Sequence, residues 1–288
     1  MIWDDLDAYL DRVPGTVSAY VGRPGARPTW TRHADDTHYA ASTMKVAVLV
    51  ALHRAAEAGR LDLDAPVPVR NSFDSARPGA PRFANNRDYD NDDAVWDAVG
   101  GTAPLRWLAG RMIVRSSNLA TNLCIGQVGL PAVAQAWTLA GARHSVTGRG
   151  IEDFAARDAG IDNVVTAADL AALLGELALG ATRPGPLASP AGCAAMLDVL
   201  AAQEHREDLA AGLPDGTRVA HKNGWVRGVR HGAGVVFPDD APPYRIVVCT
   251  TTDLADGGAD GEQVEDDACR LIAHVSARVW DARHELAG

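Results

Sequence analysis

The chain has 288 residues, 47% hydrophobic and 22% charged, a globular composition with apolar material for one large core or two small lobes. Lys and Arg number 27 against 37 Asp and Glu, a net charge of -10, so the basic face of a duplex nucleic-acid binder and a general charge attraction to anionic membranes are both missing. No stretch approaches the roughly 20 apolar residues of a transmembrane helix, and the acidic start Met-Ile-Trp-Asp-Asp has none of the basic and apolar character of a signal peptide. A cytoplasmic protein is expected.

Leu6, Tyr9, Leu10 and Val13 recur at helical spacing, and Pro14-Gly15 stops the run, which predicts a short opening helix. Two short strands follow at 16–21 and 28–32, across a Gly22-Arg23-Pro24-Gly25 turn. His33 and His38, five apart in a polar stretch, are expected at the surface. A strongly apolar helix is predicted over 43–58, ended by Gly59. Residues 71–101, rich in Asp, Asn, Pro and Arg, read as a long surface excursion; Phe73, Arg82, Phe83 and Tyr89 are its candidates to line or lid a site. Helices are then predicted at 105–114, 118–128, 132–140, 167–179 and 190–203. Residues 217–220, 234–237 and 244–251 are β-like, and a last helix is expected over 261–282.

Strands therefore sit at both ends and helices in the middle. The expected fold is α+β: an antiparallel sheet from N- and C-terminal strands flanked by helices, plus a central all-helical lobe. The α/β lobe takes 1–60 and 211–288, the helical lobe 61–210, and a cleft between them is the natural small-molecule site. The four cysteines, Cys124, Cys193, Cys249 and Cys269, form no C-x-x-C pair and read as buried reduced thiols. The nine histidines include no H-E-x-x-H, so no metal and no cofactor is expected.

Three segments carry candidate chemistry. Ser42-Thr43-Met44-Lys45 opens the apolar helix. One turn separates Ser42 from Lys45, so the two share a face. A serine hydroxyl needs a base within reach, and a lysine entering a buried helix has its pKa lowered toward that of a base. Free N–H groups at the helix start suit an oxyanion. Ser116-Ser117-Asn118 opens the 118–128 helix, where serine and asparagine are also ordinary caps. Lys222-Asn223-Gly224, before Trp225, puts a cation beside a glycine that lets a substrate approach the backbone.

Together, and in this order, the three segments resemble the S-x-x-K, S-D-N and K-T-G pattern of class A β-lactamases and related penicillin-binding serine hydrolases. Arg149-Gly150-Ile151-Glu152-Asp153 is similar to that family's omega loop, and Arg227-Gly228-Val229-Arg230 to the strand after K-T-G. The resemblance spans about Thr16 to Ala282. It implies Ser42 as acylated nucleophile, Lys45 as its base or proton relay, and Ser116 as proton donor to the leaving nitrogen. It also implies Asn118 on the substrate amide, Lys222 and Arg230 on a substrate carboxylate, and the N–H groups of Ser42 and Trp225, beside Gly224, as oxyanion hole. Glu152 is the implied base for the deacylating water, with Asp153 in its place if the loop register differs by one. The implied partner is a small-molecule substrate with a carboxylate, not nucleic acid or membrane. Four features depart from the pattern. Ser117 replaces Asp, Asn223 replaces Thr or Ser, the loop lacks E-x-x-L-N, and no signal peptide is visible. The readings are a β-lactam hydrolase, a cytoplasmic amidase or esterase, or a penicillin-binding module that acylates with little turnover.

Overall fold

The computed structural model describes residues 2–257 and 265–287. Helix α1 (Ile2–Leu10) carries Asp4 and Asp5 at its positive end and buries Leu6 and Leu10. Strands β1 (Thr16–Gly22), β2 (Trp30–Arg32) and β3 (His38–Tyr39) lead into a 3₁₀ turn at Ala41–Met44 and helix α2 (Lys45–Glu57). The middle holds β4 (Pro66–Pro68), α3 (Asp93–Asp97), β5 (Thr102–Pro104), α4 (Leu105–Val114), α5 (Asn118–Val128) and α6 (Leu130–Leu139). Then come β6 (Val146–Thr147), α7 (Phe154–Asp158), β7 (Asn163–Val165), α8 (Ala167–Gly180) and α9 (Pro190–Ala201). The chain ends in β8 (Arg218–Val226), β9 (Val229–Phe237), β10 (Tyr244–Thr251) and α10 (Asp267–Asp281).

Five strands form one sheet in the order β2-β1-β10-β9-β8. All its pairings are antiparallel, β1 meeting β10 from Thr16↔Thr251 to Gly22↔Arg245. This is the α+β architecture expected, with the N-terminal strands closing on the C-terminal ones. Both faces are covered. Leu6, Leu10, Leu271, Ile272, Val275 and Val279 of α1 and α10 pack on Val17, Val219, Ile246 and Val248. Ala220, Val235 and Val247 face a larger core that contains α2, α4, α5, α8 and α9. Burial on both faces explains why β10 reads as a near-continuous apolar run rather than an alternation. Ser117, Thr166 and Ser189 cap α5, α8 and α9 through their side chains, and Pro190 fits the first turn of α9, where its missing N–H costs nothing.

Several expectations need correction. His38 is buried, not at the surface: Thr251 Oγ1 and Ser18 Oγ, on facing strands, each lie 2.8 Å from one of its ring nitrogens. Satisfied on both sides, the ring is buried without a lost hydrogen bond. Strands β8 and β9 run much further than 217–220 and 234–237, because His221, Lys222, Asn223, Arg230 and His231 are buried polar strand residues that hide the pattern. Gly228, at φ +82°, makes the turn between them. Helix α10 begins at Asp267, capped by Asp266; residues 261–264 of the expected helix lie outside the described residues. The 71–101 excursion is not merely a surface loop. It is closed at its base by β4 pairing with β5, bridged at Phe73↔Phe83, and buries Asn85 and Asp92. All four cysteines are buried, and none forms a disulfide among the described residues. Among the described residues no helix is long and apolar enough to cross a membrane.

Candidate active site

Ser42 sits in the 3₁₀ turn that runs straight into α2, so Lys45 follows as the first residue of the helix. The turn is entered through Ala41 at φ 44°, a left-handed conformation uncommon for a residue with a Cβ. Ser116 (φ 58°) and Glu152 (φ 67°) are held in the same region, so three of the four such non-glycine residues described surround one site. Strain concentrated like this persists only where the surroundings over-determine the backbone.

Lys45 is wholly buried. Its Nζ donates to Ser116 O (2.8 Å), Ser116 Oγ (3.3 Å) and Asn118 Oδ1 (2.9 Å). Lys222, also wholly buried in β8, donates to the same Ser116 Oγ (3.1 Å) and to Asn223 O (2.9 Å) and Oδ1 (3.2 Å). Two lysine amines therefore converge on one hydroxyl, which accepts from both and has its own proton left to donate. The Ser42 hydroxyl has no hydrogen-bond partner among the described residues. Burial lowers the Lys45 pKa to about 7, against the opposing pull of Asp90 and Glu152. Burial, followed by the neighbouring Lys45 charge, lowers Lys222 well below its ordinary value.

Gly224 brings β8 against the turn. A Cβ there would stand 2.8 Å from Ser42 N and 3.1 Å from Thr43 N, so only glycine permits the approach. The approach brings β8, with the Trp225 that follows Gly224, alongside the start of the turn. Here the early N–H groups lack intrahelical partners.

Glu152 lies across the cleft. Asn85 Nδ2 donates to its Oε1 and Asn86 N to its Oε2, each at 2.8 Å. Burial raises its pKa, the two donors oppose that, Asp90 adds to it and Lys45 subtracts. Asp153 is turned away and fully used: it caps α7 through Ala156 N and accepts from Ser75 Oγ and Ala76 N at 2.7 Å each. Ser42, Asn118, Glu152 and Trp225 line one cavity of about 590 Å³, together with Tyr39, Tyr89, Arg149 and Arg227. Phe73, Arg82 and Phe83 do not line it.

The sequence matches the beta-lactamase enzyme family over residues 1–282. The chain belongs to that family. Its fold is that of the class A enzymes. It superposes on a β-lactamase from Sphaerobacter thermophilus with a TM-score of 0.77 at 23% identity, covering 99% of each chain. A class A β-lactamase from Mycobacterium abscessus gives 0.78 at 20% identity, with 98% of this chain and 99% of that one covered. PBP-A gives 0.76 at 23%, with 99% and 96% covered. No curated protein matches the chain.

As a beta-lactamase family member the chain completes its site in an unusual way. Ser117, which replaces the Asp of S-D-N, donates to Asp90 Oδ2 (3.2 Å), and the same oxygen takes Leu119 N (2.8 Å). A carboxylate thus reaches the start of α5 from the excursion. Asn223, which replaces the hydroxyl of K-T-G, accepts from Lys222 and donates to His205 O (3.3 Å). Arg230 does not line the cavity. Its guanidinium is buried, bonded to Glu207 Oε1 (2.9 Å), 3.5 Å from Asp208 and 5.2 Å from the Trp225 ring centre. The cavity's other cations are Arg149, paired with Asp162 (2.8 Å), Arg157, paired with its neighbour Asp158 (3.0 Å), and Arg227, which has no partner among the described residues. Sequence reasoning missed Asn85, Asn86, Asp90 and Arg227. The only signal for the first three was the density of Asn and Asp in 71–101.

Proposed function

We propose that this chain is a serine hydrolase that opens a β-lactam or a related amide or ester through an acyl-enzyme on Ser42. The observation that carries the reading is the convergence of Lys45 and Lys222 on Ser116 Oγ, with Ser42 one turn before Lys45. In its neutral form, which a pKa of about 7 makes accessible at neutral pH, Lys45 has a lone pair for the Ser42 proton. The Ser42 oxygen bonds to the substrate carbonyl carbon, and the N–H groups of Ser42 and Trp225 receive the oxyanion. As the carbon–nitrogen bond breaks, Ser116 gives its proton to the leaving nitrogen and regains one through Lys45. Asn118 and Gly224 flank the bound amide. In the second half Glu152 takes a proton from water, whose oxygen attacks the acyl carbonyl, and the ester bond to Ser42 breaks as the serine recovers its proton.

One set of observations favours a narrower substrate. Lys222 has three acceptors already and Arg230 is balanced by Glu207 and Asp208, so the inner end of the cleft offers little spare cation. Among the described residues Arg227, at the hairpin rim, is the cavity cation without an acidic partner. This supports an amide or ester whose acidic group lies further from the scissile bond than a β-lactam carboxylate does.

The test is intact-protein mass spectrometry after mixing with a chromogenic cephalosporin, followed beside absorbance, with Ser42→Ala in parallel. A transient adduct with colour, absent in Ser42→Ala, supports β-lactam turnover. A lasting adduct without colour supports the binding module. Ser42→Ala activity within about tenfold of wild type, a barrier change of only about 1.4 kcal/mol, refutes the nucleophile.

A further inference from the structure

Loop 149–158 supplies no side chain that holds the Glu152 carboxylate; both of its oxygens are met from the excursion. Asn85 is itself built in. It is 6% exposed, and its side chain is used completely: Nδ2 donates to Glu152 Oε1 (2.8 Å) and Ile151 O (3.1 Å), and Oδ1 accepts from Asn122 Nδ2 (2.9 Å). Its backbone is clipped at both polar groups by Asn71, whose Oδ1 accepts from Asn85 N (2.7 Å) and whose Nδ2 donates to Asn85 O (2.9 Å). Asn122 of α5 grips Ile151 on both sides, accepting from its N and donating to its O at 2.8 Å each. There is no slack in this arrangement. A Cβ on Gly150 would meet Asn122 Oδ1 at 2.8 Å and the Phe83 ring at 2.9 Å. The left-handed backbone of Glu152 is therefore enforced by an asparagine pair from two remote segments.

We infer that Asn85 is a positioning residue for Glu152: it aims the carboxylate into the cleft and keeps it ionised. The inference rests on the proposed role of Glu152 as deacylation base. An amide donor suits that task, since it stabilises the carboxylate without adding a charge that would weaken its basicity as far as an arginine would. The charged groups facing Glu152 are Asp90 on the excursion, which disfavours its ionisation, and Lys45 of α2, which favours it; Asn86 N is the other donor. A loop tie with no part in the site would leave these electrostatics alone.

The experiment is a carbon-13 NMR titration of carboxyl-labelled glutamate in the full chain, with Glu152→Gln identifying the resonance. In Asn85→Ala the Glu152 pKa is expected to rise by about one unit, the loss of one hydrogen bond to a charged group. Asn85→Asp, which sets a second carboxylate against it, is expected to raise it further. Should Asn85→Ala not fold, Asn71→Ala, which only loosens the Asn85 backbone, is expected to give a smaller rise. An unchanged Glu152 titration in the folded variants overturns the inference. Failure of the underlying reading looks different: Glu152→Gln would then leave decay of the cephalosporin adduct unchanged, while the NMR shift in Asn85→Ala persisted.

Discussion

Lowering the pH from 7 to 5 is expected to remove about 4 kcal/mol of folding stability through three buried histidines and one opposing aspartate. His38 on β3, His221 on β8 and His231 on β9 are each buried, and burial holds their pKa values at about 4, 3 and 4. His221 is the extreme case: neither ring nitrogen has a hydrogen-bond partner among the described residues, and Arg206, Lys222 and His205 add positive potential. In the unfolded chain each ring titrates near its ordinary 6.5. Above that value neither state binds the proton and nothing is lost. Below it the unfolded chain takes up protons that the folded chain refuses, so stability falls as pH falls toward 4. Each ring then contributes a loss of about 2 kcal/mol at pH 5, or roughly 5–6 for the three. Asp208 acts in the opposite sense: buried and raised to about 6, it binds a proton in the folded state first and restores about 1 kcal/mol. Urea unfolding at pH 7, 6 and 5 measures the net effect. His38→Gln, whose amide can still meet Ser18 and Thr251, is expected to return about 2 kcal/mol of the loss. Equal stability at pH 7 and 5, or an unaltered pH slope in His38→Gln, refutes the reasoning.

Two further outcomes follow from the cleft. Gly224→Ala places a methyl group 2.8 Å from Ser42 N, and is expected to cost about 1–3 kcal/mol in stability and at least tenfold in acylation, read by thermal melting and adduct formation; unchanged values for both would contradict the close approach. Arg227→Gln is expected to raise KM about tenfold for an anionic ester but not for its neutral analogue, about 1.4 kcal/mol of lost binding. Arg230→Leu, which strips Asp208 of its buried counter-ion, is expected instead to lower stability by about 3 kcal/mol. An Arg230→Leu variant with a normal melt and a selective KM defect would return the carboxylate to Arg230.

The sheet and the main helices were legible because apolar periodicity is strong in both, and α5 and β10 begin and end where pattern and caps place them. The buried lysine was legible too, since Lys45 enters a helix with apolar residues all round it. What escaped was polar and long-range. His221 through His231 fell between the two predicted β-like runs because hydropathy cannot distinguish a polar residue at the surface from one buried in a paired network. Asn85 reaches Glu152 across 67 positions, and Asp90 reaches Ser117 across 27. No local pattern encodes such contacts. The placement of Arg230 was hidden for a related reason: it does not line the cavity, and its partners are Glu207 and Asp208, from a loop its local sequence does not reveal.

The excursion ties the two halves of the proposed reaction together. Asp90 and Glu152 both favour the charged form of Lys45, whereas the proposed acylation step needs that amine neutral. Asp90 at the same time disfavours ionisation of Glu152, and Asn85 and Asn86 favour it. Lys222 is lowered in turn by the charge on Lys45, so the two lysines above Ser116 resist being charged together. A proton taken from Ser42 therefore enters a coupled set in which Lys45, Lys222 and Glu152 titrate as a group rather than singly. Because Asp90, Asn85 and Asn86 all ride on the 71–101 segment, a single shift of that segment moves the balance at the proposed acylating base and the proposed deacylating base together. On this argument the relative speed of the two steps, and hence whether the family fold acts as a hydrolase or as a slow acyl acceptor, is set as much by this excursion as by the residues of the three motifs.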